Sequence, residues 1–308
     1  MSNAPILADF TQHWQDRPRL VRLAYRMTGS FAEAEDIVQD AWERMLTQPA
    51  GTIHNVPGWL TSVVSRLAID HLRSARRTTD QYGSPWLPEP VSTDRLADSP
   101  EQAVQVQEEL GFAILFLLER LSPDQRVVWV LRTSLQLSYA EIADIVEKPA
   151  ATCRQLFHRA SQTLAGESPA EQPREISADA LQRFTNAFQQ GDIAALTSML
   201  TDDAVWIGDG GTIKLSTSRA VQGAERVARG LIGLHQKHTS QGTQTMIPVN
   251  GGTGTMLAMG DHLDSVAILL WNGTKISHVL IQRNPEKLGH ALGEELAARH
   301  HLSFQPER

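Results

Sequence analysis

The chain contains one cysteine, Cys153, so no intramolecular disulfide can brace it. No stretch of apolar residues approaches the roughly 20 needed to cross a bilayer as a helix. The first ten residues, MSNAPILADF, have no basic lead followed by an apolar run, which leaves no secretory signal to read there. A cytoplasmic protein with no membrane partner is the expectation. Internal repeats are absent, and so is the heptad pattern of a coiled coil. Positive charge is scarce as well: 28 Lys and Arg face 35 Asp and Glu, for a net charge of −7. A chain that held nucleic acid by its overall charge would need the opposite balance, because affinity for phosphate comes from cations that displace counterions.

Two local clusters of basic residues stand out against that balance. Arg66, Arg73, Arg76 and Arg77 lie near the end of one helical pattern, and Arg154, His158 and Arg159 lie on another. An acidic protein with two basic patches is expected to bind free DNA weakly and to need a partner that places it. At 308 residues and 41% hydrophobic content the chain is long enough for two or three domains with cores of their own. Two proline-rich joints divide it. One runs over residues 78–100 and carries Pro85, Pro88, Pro90 and Pro100; the other runs over 166–175 and carries Pro169 and Pro173. The expected domains are therefore 1–77, 101–165 and 176–308.

The first segment is helical by pattern: Leu20 to Met27, Ala32 to Thr47 behind a Ser30–Glu33 capping box, and Gly58 to Ser74. In the middle helix Ala34, Ile37, Val38, Ala41 and Met45 turn inward, leaving an acidic strip of Glu35, Asp36, Gln39, Asp40 and Glu43. In the last, Trp59, Val63, Leu67 and Ile69 pack and leave Arg66, Asp70 and Arg73 outside.

The second segment opens at a Ser99–Pro100 cap, with one helix from Ala103 to Arg120. A second capped start at Ser122–Gln125 leads to about Thr133. The stretch Leu135 to Leu164 then spells two short helices joined by a tight turn. Ser138 and Glu141 cap the first, which starts at Tyr139 and buries Ile142, Ala143 and Val146. On the second, Leu156, Ala160 and Leu164 recur every four residues and turn Arg154, Gln155, His158 and Arg159 to the opposite face. Those four side chains suit base edges and phosphates. The turn lacks the usual glycine, so the bend at Lys148–Pro149 must be made another way. Cys153, near the inward stripe, reads as a small core residue.

The third segment changes character. Helices over Ala178–Gln189, Ile193–Leu200 and Ala224–Leu234 accompany the short apolar run Ala204–Gly208. Strand-like runs follow at Thr243–Val249, Thr255–Met259 and Val266–Trp271, then Lys275–Gln282 after an Asn272–Gly273 turn. Helices followed by a meander predict a curved antiparallel sheet wrapped round a helix, an α+β cone with an interior pocket. Its titratable candidates are Asp202, Asp203, Asp209, His235 and His238, and nothing in their spacing makes them converge.

RLAYRMTGSFAEAEDIVQDAWERML with WLTSVVSRLAIDHLRSARR closely resembles region two of the extracytoplasmic-function sigma factors of bacterial RNA polymerase, and LSPDQRVVWVLRTSLQLSYAEIADIVEKPAATCRQL resembles their region four. The third segment resembles the SnoaL-like, NTF2-like domain fused to one subgroup, the SigJ type. Three ordered marks carry that likeness: Trp86-Leu87-Pro88-Glu89-Pro90, Asp209-Gly210-Gly211-Thr212-Ile213-Lys214 and Asn284-Pro285-Glu286-Lys287-Leu288. The first matches the subgroup's pattern, the third nearly so, and the middle one has lost a glycine and shifted its lysine.

The resemblance implies a multidomain chain of two all-α sigma domains and a C-terminal α+β NTF2-like cone. It implies core RNA polymerase as partner, met at the β′ clamp helices by Glu35, Asp36, Gln39 and Asp40. Promoter DNA would be held at the minus-ten element by Asn55, Arg66, Asp70, Arg73, Arg76 and Arg77, and at the minus-thirty-five element by Arg154, Gln155, His158 and Arg159. Base contacts and phosphate contacts are not separated within these sets. No catalytic residue, metal or cofactor is expected. The fused domain is expected to act as a control element in cis, replacing a separate anti-sigma factor, with the WLPEP segment docked on it and Lys214 paired with Glu89. A small ligand in the cone is left open. Two other readings remain: a ligand-sensing one-component helix-turn-helix regulator, and an enzyme of the cone fold with a helical appendage.

Overall fold

A computed structural model describes residues 13–49, 51–78, 85–97, 99–165, 178–214, 216–217 and 219–301. The joint at 166–175, residues 79–84 and 98 of the first joint and the side chains of Arg76 and Arg77 lie outside the described residues. The chain forms two compact units. One comprises Met1–Asp80, Glu108–Leu110 and Ile114–Glu167, and the other Gln81–Gln107, Gly111–Ala113 and Ser168–Arg308.

In the first unit α1 (Arg17–Thr28) ends at a left-handed Gly29, and α2 (Phe31–Leu46) starts where Ser30 Oγ accepts the Glu33 N–H at 3.3 Å. The five residues expected to face inward on α2 are all buried, joined by Phe31 and Trp42. Helix α3 (Val56–Thr78) begins two residues earlier than its pattern suggests, because Asn55 Oδ1 accepts the Gly58 N–H at 3.1 Å and caps it. Its buried stripe is Leu60, Val63, Val64, Ala68 and Ile69, whereas Trp59 and Leu67 are only half-buried. Val63 and Ile69 thus pack as expected, while Trp59 and Leu67 lie at the margin of the stripe and Leu60, Val64 and Ala68 complete it.

The helix expected over Ala103–Arg120 is two helices, α4 (Pro100–Leu110) and α5 (Phe112–Leu118). Gly111 separates them in an extended conformation, with φ −51° and ψ 139°. Helices α6 (Pro123–Ser134), α7 (Tyr139–Val146) and α8 (Ala150–Ala165) follow, and complete capping boxes at Ser122/Gln125 and Ser138/Glu141 fix the starts of α6 and α7. The missing glycine of the α7–α8 turn is replaced by Glu147, which takes the left-handed conformation itself at φ 54° and ψ 44°.

The second unit holds α9 (Ala178–Gln190), α10 (Ile193–Met199), β1 (Leu200–Asp209), β2 (Val221–Gln222), α11 (Ala224–Leu234), β3 (Thr243–Val249), β4 (Gly252–Met259), β5 (His262–Asn272), β6 (Lys275–Gln282) and α12 (Pro285–Arg299). Among the described residues they build one six-stranded sheet in the order β2-β1-β6-β5-β4-β3. The meander β3 to β6 is antiparallel as expected, but β1 lies parallel to β6, with Trp206 opposite Val279, so the sheet is mixed. Periodicity identifies a strand but not its partner, and the run Ala204–Gly208 is the middle of a ten-residue strand. Leu196, Leu200, Ala204 and Trp206 pack in one core with Val227, Ala228 and Leu231 of α11 and with Trp271, Ile276 and Val279 of the sheet.

A left-handed non-glycine residue costs about 1–2 kcal/mol, and the Glu147 carboxylate, 75% exposed and 3.6 Å from Arg66, offsets little of that. Glu147→Gly is expected to raise the stability of the first unit by about 1 kcal/mol, read as a higher urea midpoint at unchanged slope.

Candidate functional site

The expected polymerase strip and reading helix are presented to solvent. On α2, Asp36, Gln39 and Asp40 are exposed, while Glu35 is half-buried and held by Arg17 at 2.9 Å. On α8, Arg154, Gln155, His158 and Arg159 are all exposed, opposite the buried Cys153 and Ala160. Tyr139 at the start of α7 supports this face: the Arg154 guanidinium lies 5.3 Å from its ring centroid and Arg132 lies 5.2 Å from it. Burial pushes the Cys153 thiol up, in keeping with a packing role.

On the basic helix α3, Arg66, Asp70 and Arg73 lie outside as expected, and the two arginines have partners within the same unit. Arg66 donates through Nε to Ile145 O at 3.0 Å and through Nη2 to Asp144 O at 2.8 Å, so it caps the C-terminal carbonyls of α7. Arg73 pairs with Asp124 at the start of α6 at 2.8 Å, and lies 3.8 Å from Asp70. Two buried arginines knit the same helices. Arg26 donates to Ser134 Oγ at 2.7 Å and faces Trp129, and Arg126 donates to Met27 O at 3.1 Å and Glu119 at 2.6 Å. Burial lowers the Arg26 guanidinium to about 10, which leaves it charged at neutral pH. Asn55, expected at DNA, spends its side-chain oxygen on the α3 cap.

In the second unit the three sequence marks converge. The Asp209 carboxylate, fully buried at the end of β1, accepts the Leu87 N–H at 2.9 Å, Lys287 Nζ at 2.7 Å and Gln282 Nε2 at 3.2 Å on one oxygen, and the Gly211 N–H at 3.0 Å on the other. Lys287 also donates to Leu87 O at 2.7 Å and lies 4.0 Å from the Trp86 ring centroid. Gln282 reaches the carbonyls of Leu87 and Pro88 at 3.3 and 3.4 Å. Leu87 is fully buried and Glu89 nearly so, and Pro88 and Pro90 are buried with them. Beyond the prolines, Val91 exchanges hydrogen bonds with Asn250, and Gly251 donates to Thr93 Oγ1.

The glycines of the loop are required by contact. A Cβ at Gly211, which has φ +62°, would sit 2.7 Å from the Asn284 side chain, and one at Gly210 would sit 2.0 Å from Lys214 O. Asn284 in turn accepts the Glu286 N–H at 3.1 Å, starting α12, where Leu288 is buried behind Pro285. Lys214 does not pair with Glu89 as expected; it pairs with Asp264 at 3.1 Å, because the loop turns it toward β5.

A cavity of about 70 Å³ opens inside the cone, walled by Phe184, Phe188, Leu231, Leu257, Leu269 and Val279 among others, with Asp264, Ser265 and Arg283 also lining it. Asp202 and Asp203 are exposed on β1, and neither they nor His235 nor His238 lines it. Sequence reasoning missed Asp264, Arg283, Gln282 and Asn250. The one available signal was an aspartate and a serine interrupting the apolar run of β5. Burial acts to raise the Asp264 pKa, but the Arg283 hydrogen bond and charge, joined by Lys214, outweigh it and hold the carboxyl below its ordinary value.

Residues 15–78 match sigma-70 region 2 and residues 111–164 match sigma-70 region 4. Two such helical regions followed by an α+β cone define a multidomain protein of the sigma type. The chain is 38% identical over 251 residues to the ECF RNA polymerase sigma factor SigJ of Mycobacterium tuberculosis (strain ATCC 25618 / H37Rv), covering 79% of this chain and 78% of the relative. It is 34% identical over 290 residues to the probable ECF RNA polymerase sigma factor SigI of Mycobacterium tuberculosis (strain CDC 1551 / Oshkosh), covering 90% and 93%. The crystal structure of Mycobacterium tuberculosis SigJ superposes with a TM-score of 0.72 at 31% identity, over 90% of this chain and 97% of that one. The chain belongs to the ECF RNA polymerase sigma factors. No helix among the described residues is long and apolar enough to cross a membrane.

Removing one partner of a buried ion pair strands the other. Asp209→Asn is expected to cost about 3 kcal/mol, seen as a lower denaturant midpoint for the second unit, with part of the loss recovered in the Asp209→Asn/Lys287→Met double variant. Asp264 gives a pH dependence: its lowered pKa contributes stability above the ordinary carboxylate range that is lost as pH falls through that range and below. Asp264→Asn should be less stable at neutral pH but lose less stability than the parent between about pH 5 and about pH 3, measured by chemical denaturation at each pH.

Proposed function

We propose that the protein binds core RNA polymerase and directs promoter-specific initiation, with region 2 on the minus-ten element and region 4 on the minus-thirty-five element, under control in cis by its C-terminal domain. Polymerase is met by Asp36, Gln39 and Asp40, with Glu35 shared with Arg17. The minus-thirty-five element is read by Arg154, Gln155, His158 and Arg159. Arg66 and Arg73, with Arg76 and Arg77, supply the cationic track for the minus-ten strand, and Asn55 and Asp70 stand beside it. No catalytic role is proposed for the cone, and no separate anti-sigma factor.

The observation that carries the cis-control reading is the clamp on Leu87: a segment that joins the two promoter-reading regions is held on both its N–H and its carbonyl by Asp209, Lys287 and Gln282. Fixing this joint fixes how far apart the two readers can stand. A second observation supports a closed resting form. Arg66 is bonded to α7 carbonyls and Arg73 to Asp124, so binding DNA through them requires exchanging those partners for phosphates. The acidic surroundings make that exchange weak for the chain alone and favour it once polymerase places both readers on one duplex.

Run-off transcription with purified core polymerase tests the reading. Specific start sites should appear only when chain and core are mixed. Trp86→Ala, or deletion from Asn284 onward, should change promoter activity severalfold while core binding is retained. Unchanged transcription in both variants, or equally tight promoter binding by the chain without core, counts against it.

A further inference from the structure

We propose that the cavity of the cone binds a small, neutral, largely apolar molecule carrying a hydroxyl, whose O–H is received by Oδ2 of Asp264, and that its occupancy is transmitted to the clamp on the WLPEP segment. The second half rests on the cis-control reading; the binding site does not.

Asp264 is 8% exposed and lines the cavity, yet among the described residues its Oδ2 accepts no hydrogen bond. Both neighbouring cations go to the other oxygen: Lys214 Nζ at 3.1 Å and Arg283 Nη2 at 2.9 Å meet Oδ1. A buried acceptor left unmatched by its own fold is matched by a donor from elsewhere. The trio of one carboxylate and two cations carries a net positive charge, which disfavours a cationic donor, while an anion would face the bare carboxylate oxygen. A neutral hydroxyl avoids both penalties. The Ser265 hydroxyl and the Thr255 and Gln244 side chains line the same cavity and offer partners for the hydroxyl oxygen. The remaining wall is aromatic and aliphatic, which fits an apolar body. At roughly 10–15 Å³ per water, a volume of about 70 Å³ takes a molecule with the heavy-atom count of one small ring.

The path to the clamp is short. Lys214 belongs to the loop that starts at Asp209, and its N–H donates to Gly210 O at 3.0 Å. The Arg283 N–H donates to Asp209 O at 2.7 Å. Asp209 is the residue that holds Leu87, and Gln282 beside Arg283 holds the carbonyls of Leu87 and Pro88. A donor on Oδ2 redistributes the charge that Lys214 and Arg283 face, the one a single hydrogen bond from the Asp209–Gly210 turn and the other next to Gln282 in the chain.

The full chain is titrated with phenol, with toluene as the isostere lacking the hydroxyl, and with benzoate, followed by ligand-observed NMR. Phenol is expected to bind about tenfold more tightly than toluene or benzoate. Asp264→Asn should reduce the preference over toluene to about twofold or less, and Ala267→Phe or Leu257→Trp, which fill the cavity and keep Asp264, should abolish phenol binding. Equal affinity for phenol and toluene overturns the site, as does phenol binding that survives both filling variants in a folded chain. Hydrogen exchange of the Leu87 amide, read with and without phenol, should change severalfold; no change with phenol bound overturns the transmission. Neither measurement uses polymerase, so the loss of either leaves the transcription result to stand or fall by itself.

Discussion

A carboxylate with no exposure to water, Asp209, is the constraint on which the second unit depends. An ionised group so placed is tolerable only when its lone pairs are taken, and here a lysine, a glutamine and two backbone N–H groups take them. Because one of those N–H groups belongs to Leu87, the energetic requirement of the fold is also what holds the segment between the two helical regions. The prolines on either side of Glu89 hold the segment extended, so it presents Leu87 with little loss of freedom. The loop glycines serve the same end, since a side chain at Gly211 would displace Asn284 and the start of α12 with it.

The first unit solves a related problem with arginine. Arg26 and Arg126 are buried and reach across to Ser134, Met27 and Glu119, and Arg66 takes up the last carbonyls of α7. Guanidinium groups suit this use because they stay charged and donate in several directions at once. The overall acidity comes from the shortage of cations, and several of those present are occupied inside the protein and not offered at its surface. This is consistent with a promoter reader that depends on a larger machine for its affinity.

Much of the fold was legible in the sequence where local chemistry dictates it. Ser122 with Gln125 and Ser138 with Glu141 fixed two helix starts to the residue, and the inward residues of α2 followed from period alone. The exposed face of α8 was legible for the same reason, since exposure on a helix follows from spacing. The errors share a cause in tertiary context: the break at Gly111, the margin of the α3 stripe and the Lys214 partner all depend on what lies across a gap in sequence.

By itself the sequence determined the helical regions, the meander, the presence of three ordered marks and the family to which they belong, because caps, periodicity and short motifs are properties of neighbouring residues. Only the tertiary structure decided that β1 runs parallel to β6, that Glu147 bends the turn without glycine, that Arg66 faces α7, and that Asp209 binds Leu87 across 122 positions of chain. All but the Glu147 conformation are long-range pairings, which neighbouring residues cannot specify, and the Asp209 pairing is settled by a buried polar group that must find a partner once the apolar surfaces have closed around it.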